Sequence, residues 1–302
     1  MNWSSNDIIL LSYRLLNVKG YGCAQANKLL WHLSPSAHSA KQLEDSIRCS
    51  LNAQERESFS SNYSLANSRL DVEYLSVLDK SRYPSKLIET LHQNSPTVLS
   101  FVGNIKLLEK RSVGICGSRS VSEKGLWIVR DCVSQLAQQD VCIISGYANG
   151  VDLTAHKSAL EQGATTIIVL PEGISSFYIR SELKEVWDWS RVLVVSEFMP
   201  HEKWMASRAM KRNQTIIGLS DAMLVVEAGE KGGSLDAGMK TLSFGKSLFV
   251  PYYKEIPQSA LGNMVLLNNG ANSLKRRKES SRTNLDGLFM AMQQQQLRKS
   301  IF

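Results

Sequence analysis

The chain has 302 residues, 43% of them hydrophobic, and a formal net charge of +7, enough for one large core with a smaller second domain. No apolar run reaches the ~20 residues that span a bilayer, and the start, Met1-Asn2-Trp3-Ser4-Ser5-Asn6-Asp7, lacks the basic-then-apolar pattern of a signal peptide, so a cytoplasmic protein without membrane contact is expected. Cys23, Cys49, Cys116, Cys132 and Cys142 contain no C-x-x-C pair and read as free thiols, and His32, His38, His92, His156 and His201 are scattered, so no metal and no cofactor is expected.

Residues 7 to about 70 read as helical, with apolar positions at helical spacing in Ile8 to Leu16 and again in Ala26 to Trp31. Between these runs, Gly20-Tyr21-Gly22 resembles the turn of a helix-hairpin-helix, whose amides face phosphate. A plain helical hairpin, whose turn needs glycine for positive φ, is the simpler account. The stretch from Tyr83-Pro84 to Phe101 reads as a connector with an edge strand and no helix.

From Val113 onward, short β-rich runs alternate with helix-length segments. The strands expected are 113–116, 141–144, 165–170, 192–195, 222–226 and 247–250. Their apolar residues are continuous, which marks strands buried on both faces and a doubly wound, mostly parallel α/β sheet. Three domains follow: 1–72 helical, 73–274 Rossmann-like, and 275–302 a basic, Gln-rich tail that is either an amphipathic helix or disordered. The tail holds seven basic residues against Glu279 and Asp286, a balance of +5 that leaves +2 for the rest. Any affinity of the body for nucleic acid must therefore come from a local patch, with the tail adding diffuse attraction.

In an open parallel sheet, ligands bind beyond the carboxyl ends of the strands. After the first strand, Gly117, Ser118 and Arg119 precede Ser122, an expected N-cap, so that free helix N–H groups and a guanidinium face one loop. After the second, Ser145, Gly146, Asn149 and Gly150 lead into a helix carrying Asp152 and His156 on one face. That pair serves either acid/base chemistry or a helix-start hydrogen bond; no nucleophile or metal accompanies it. After the fifth, Gly232 and Gly233 precede Ser234, read as a further N-cap. Lys211, Arg212 and Asn213, with Lys203 and Arg208, offer a wall of basic and amide groups beside these loops.

Taken in order, Gly117-Ser118-Arg119, Ser145-Gly146-x-Ala148-x-Gly150-x-Asp152-x-x-Ala155-His156, Ser196-Glu197, Arg212-Asn213-x-x-Ile216-Ile217-Gly218-Leu219-Ser220 and Gly233-Ser234-Leu235 resemble the motifs of the DprA/Smf family over about residues 75 to 274. The resemblance implies a non-enzymatic protein that binds single-stranded DNA, forms a homodimer, and helps load RecA recombinase during DNA uptake. It implies DNA contact by Arg119 and Lys211-Arg212-Asn213, with the loop of Ser145 to Gly150 beside them. The chain departs from the family pattern at Gln214, where a third basic residue is expected, at Ala209-Met210 in place of Phe-Pro, at Gly232 in place of serine, and at Tyr252 in place of glycine. No winged-helix domain is expected after the sheet. Two other functions stand beside this one. One is a DprA-like partner of a toxin, an antitoxin or accessory protein in phage defence. The other is a nucleotide sensor or enzyme similar to cytokinin-activating phosphoribohydrolases, with Glu227, Gly232 and Gly233 lining its pocket.

Overall fold

The computed structural model describes residues 5–60, 65 and 70–301, with the side chains of all but 5 and 296–301. By its contacts the chain divides into two compact units, one of Met1–Val102 with Glu172–Phe177 and Val195–Trp204, the other of Gly103–Pro171, Tyr178–Val194 and Met205–Phe302. Among the described residues, no helix is long and apolar enough to cross a membrane.

The first unit opens with α1 (Ser5–Leu16), α2 (Cys23–Leu33), α3 (Ala40–Ser50) and α4 (Ala53–Phe59). Their helical-period residues Leu11, Leu15, Ala26, Leu30, Leu43, Ile47 and Phe59 form one buried cluster. Ser39 caps α3 through the Gln42 N–H, and Asn52 with Glu55 forms a capping box on α4. β1 (Glu73–Ser76) pairs antiparallel with β2 (Val98–Gly103), Glu73 opposite Phe101. Between them lies α5 (Ser85–Leu91), where the sequence reading has only a connector. Pro84 sits at its N-cap, where proline's missing N–H removes no intrahelical bond, so the residue read as a helix breaker instead begins one.

The second unit follows the expected alternation: β3 (Ser112–Cys116), α6 (Glu123–Ala137), β4 (Cys142–Ser145), α7 (Val151–Glu161), β5 (Thr166–Leu170), β6 (Val192–Ser196), α8 (Ala206–Leu219), β7 (Ala222–Val225), α9 (Gly233–Ser243), β8 (Leu248–Pro251), α10 (Leu261–Asn268), β9 (Asn272–Leu274) and α11 (Asp286–Ile301). The strand order is β6-β5-β4-β3-β7-β8-β9. β3 lies parallel to β4 on one side and to β7 on the other, and β7, β8 and β9 continue in parallel. Every residue of β3 to β8 is buried, which is why their runs are apolar without alternation. The chain leaves β3 toward β4 and returns to β3's other side at β7, so the topological switch point lies between β3 and β7.

The C-terminal segment is not a loose appendage. Leu285, Leu288 and Met292 are buried in one cluster with Phe249 and Tyr253, so an amphipathic helix, α11, closes the core. Four of the five cysteines are buried free thiols, and Cys49 is exposed.

Candidate nucleic-acid interface

Two of the glycine-containing loops interlock at the carboxyl edge of the sheet. Ser122 is the N-cap of α6 and accepts from the Gly125 N–H at 3.0 Å. Its own N–H and hydroxyl donate to Glu227 Oε2 (2.9 Å) and Oε1 (2.5 Å) across the switch point. The Val151 N–H donates to the Ser118 carbonyl at 3.3 Å. Gly150 has φ +77°, and a Cβ there would stand 2.7 Å from the Arg119 carbonyl oxygen. Only glycine allows both that conformation and that approach. A Cβ at Gly117 would stand 2.6 Å from the Val151 side chain, and Arg119, two residues on, is exposed.

Under these loops lies a buried polar layer. Ser145 donates to the Ile115 carbonyl at 2.6 Å, which fixes β4 to β3. His156 Nε2 lies 2.6 Å from the Gly146 carbonyl and Nδ1 2.7 Å from Thr166 Oγ1. A carbonyl only accepts, so the neutral ring donates through Nε2, while the single Thr166 hydroxyl proton lies within reach of both Nδ1 and the Ile143 carbonyl (2.8 Å). Burial lowers the His156 pKa to about 4, which keeps the ring neutral. Asp152 accepts the Ala148 N–H at 3.3 Å; burial raises its pKa and the nearby Arg212 partly opposes that shift. Asp152 and His156 thus each hold loop backbone, as the hydrogen-bond reading of the pair has it.

Arg212 is buried within α8, where Nη1 donates to the Val169 carbonyl. A side chain at Gly146 would run into its guanidinium and into Asp152. The guanidinium therefore supports the loop from below, whereas the sequence reading places it against DNA. Periodicity explains the difference: Lys211 to Asn213 lie inside α8 rather than before it, so Lys211 faces out while Arg212 and Asn213 face in. Asn213 Nδ2 donates to the Gly233 carbonyl at 3.2 Å and ties α8 to the third loop.

That third loop begins at Glu227, which is fully buried and also accepts from Tyr253 Oη (3.1 Å) and Ser259 Oγ (2.6 Å). Four hydrogen bonds occupy its carboxylate, as suits a structural tie between loops. At the head of α9 the cap is Gly232, with φ +111°, so Ser234 is inside the first turn and not the N-cap expected. The left-handed conformation needed to enter the helix there is open to glycine and costly for serine. Gly232 and Gly233 are exposed and Ser234 half-buried.

A further cation was not singled out in the sequence. Arg180 Nη2 donates to Asn149 Oδ1 (2.5 Å) and Nη1 to the Tyr147 carbonyl (3.3 Å), and its guanidinium lies 5.7 Å from the Tyr147 ring centroid. The Tyr147 hydroxyl accepts the Arg180 N–H at 3.1 Å and donates to the Tyr178 carbonyl at 3.2 Å. Thirty residues separate Arg180 from the loop it braces, and no local pattern marks it.

The family model described as DNA recombination-mediator protein A matches residues 74–283. DNA processing protein DprA of Streptococcus pneumoniae is 33% identical over 191 residues, covering 63% of this chain and 64% of that protein. Protein Smf of Escherichia coli K12 is 33% identical over 174 residues, covering 57% of this chain and 46% of its own. The chain spans less than two thirds of the length of these curated relatives. The X-ray structure of DprA from Streptococcus pneumoniae superposes with a TM-score of 0.69 at 25% identity, over 89% of this chain and 94% of that one. DNA processing protein A from Helicobacter pylori, described for its single-stranded DNA binding mode, superposes with a TM-score of 0.58 at 26% identity, over 68% of this chain and 91% of that one. With the matched sheet, its switch-point loops and more than half of the chain in agreement, this protein belongs to the DNA recombination-mediator protein A family.

Proposed function

We propose that the chain binds single-stranded DNA on the loops that follow β3, β4 and β7. The observation that carries this reading is the interlocked pair of loops at the switch point, which sets exposed Arg119 above a rigid buried layer with α9's Gly232-Gly233 start nearby. Backbone amides and exposed cations grip phosphate without reading sequence, which suits a protein that handles any strand. The binding mode ascribed to the Helicobacter pylori relative supports the same ligand. Arg119 and Lys211 are the phosphate contacts, Gly117, Ser118, Gly146, Asn149 and Gly150 shape the loops, Gly232, Gly233 and Ser234 form the anion-facing helix start, and Ser122, Ser145, Arg212 and Asn213 position them.

In this reading the protein holds its strand without turning it over and passes it to a recombinase of the RecA kind, in keeping with the family's description as a recombination mediator. Glu227, which the enzyme reading places in a nucleotide pocket, is committed to four hydrogen bonds. The test is a titration of labelled oligonucleotide at two salt concentrations. Single strands are expected to bind more tightly than duplex, with affinity falling as salt rises. Arg119→Ala should weaken binding about 5- to 150-fold, the equivalent of one charge-assisted contact. Equal binding of both forms, or an Arg119→Ala variant that binds normally, overturns the assignment.

A further inference from the structure

β8 ends at Pro251 and β9 at Leu274, both parallel to the strands that carry the loop site, so Tyr252 and Lys275 emerge at the same carboxyl edge. The Tyr252 N–H donates to the Leu274 carbonyl at 3.0 Å, which sets the two side by side. Tyr252 is 49% exposed, and Lys275 Nζ lies 5.8 Å from its ring centroid. The basic run from Lys275 to Lys278 stands on a hairpin, in which Arg276 bridges Thr283 and the Asn284 N–H donates to the Lys275 carbonyl at 2.8 Å. Asp131 of α6 anchors this hairpin, accepting from Arg282 Nε (2.8 Å) and the Thr283 N–H (2.7 Å). Arg276 lies 4.4 Å from the Trp127 ring centroid, and Arg277 pairs with Asp286. The sequence reading gives this run only diffuse attraction, whereas Lys275, Arg276 and Arg277 each have a defined neighbour on an anchored hairpin.

The same row continues toward the loop site. Lys124, two residues after Ser122, places Nζ 5.0 Å from the ring centroid of Tyr253, whose hydroxyl shares Glu227 with Ser122. From β3 through β7 and β8 to β9 is three strand spacings, about 14 Å.

We propose that Tyr252, Lys275, Arg276 and Lys278 form a second contact segment for the same single strand, which runs along the carboxyl edge of the sheet from the β3 loop to the β9 hairpin. This inference rests on the single-strand reading above. An exposed aromatic face interleaved with cations suits unstacked bases and their phosphates, whereas a duplex hides its base faces. Tyr252 stacks on a base, and the three cations neutralise the flanking phosphates.

The test compares binding of thymidine oligonucleotides of about 3 and about 20 nucleotides, the first too short to bridge the ~14 Å between the segments and the second long enough to run past both. Tyr252→Leu, and a triple variant with Lys275, Arg276 and Lys278 each changed to Gln, replace exposed side chains and leave Leu285, Leu288 and Met292 in the core, unlike removal of the whole tail. Wild-type protein is expected to bind the long strand more tightly. Each variant should lose about fivefold or more on the long strand and nothing on the short one. Tyr252→Trp should restore the loss, and abasic sites in the long strand should abolish the difference between Tyr252→Leu and wild type. Long-strand binding unchanged in both variants overturns the second segment, as does an equal loss at both lengths. Wild-type protein that binds neither strand defeats the single-strand reading itself.

Discussion

Within four residues of one turn, Ser122 is tied by two hydrogen bonds to buried Glu227 while Arg119 stands exposed. Within one turn of α8, Lys211 faces solvent and Arg212 is buried against Val169. The candidate interface thus has two parts, a buried polar layer that sets loop shape and a crest of cations. Below, every charge needs a partner because desolvation is expensive there. Above, Arg119 and Lys211 are exposed and cost the fold little in desolvation. Residue type does not separate the two; position on the helix or turn does.

The strongest way to break this division is at Glu227. Glu227→Ala leaves the Ser122 N–H and the Ser122, Tyr253 and Ser259 hydroxyls without their acceptor, and should lower unfolding stability in urea by at least about 3 kcal/mol. Glu227→Gln, which keeps one acceptor oxygen, should lose less. An alanine variant as stable as wild type would show that the layer is dispensable.

Titration of His156 sharpens the comparison next. Its folded pKa of about 4 lies below the ordinary value of 6.5 for an unfolded histidine, so the unfolded chain binds the proton first. Stability from this group is complete above pH 6.5 and is lost as pH falls toward 4, by up to about 3 kcal/mol. Asp152, with its pKa raised, acts in the opposite sense, so the difference between wild type and His156→Gln isolates the histidine. Denaturation curves across that pH window should converge at low pH; parallel curves would remove His156 from the layer.

Gly150→Ala should cost roughly 1–3 kcal/mol, because alanine must adopt φ +77° and meet the backbone of Ser118 and Arg119. Thermal melting read beside oligonucleotide binding should show both decline together. Arg119→Ala lies at the other extreme, with stability within about 0.5 kcal/mol of wild type despite its loss of affinity. A large fall in its melting temperature would move Arg119 from the crest into the layer.

The sequence made the six central strands legible because burial on both faces demands unbroken apolar runs, and all six lie within a residue or two of their expected positions. The loops at the carboxyl edge were legible for the same reason, since each follows one of those strands. Less visible was α5, hidden because prolines at 84 and 96 obscured a helix of two turns. Ser234 was misplaced as a cap because the choice between Gly232 and Ser234 depends on the sign of φ, which residue preference alone leaves open. Arg180 went unnoticed because its partners Asn149 and Tyr147 are remote in sequence.

What the sequence determined by itself was the class of fold and the positions of its strands, because hydrophobic periodicity is local and physical. Only the tertiary structure decided which polar groups face inward. Arg212, Asn213, Ser145 and Glu227 became supports because neighbouring backbone carbonyls and hydroxyls come within hydrogen-bond reach, and Lys275 and Arg276 became fixed because Asp131, 144 and more residues earlier, anchors their hairpin. Such contacts join elements distant in the chain, and a one-dimensional pattern carries no record of them.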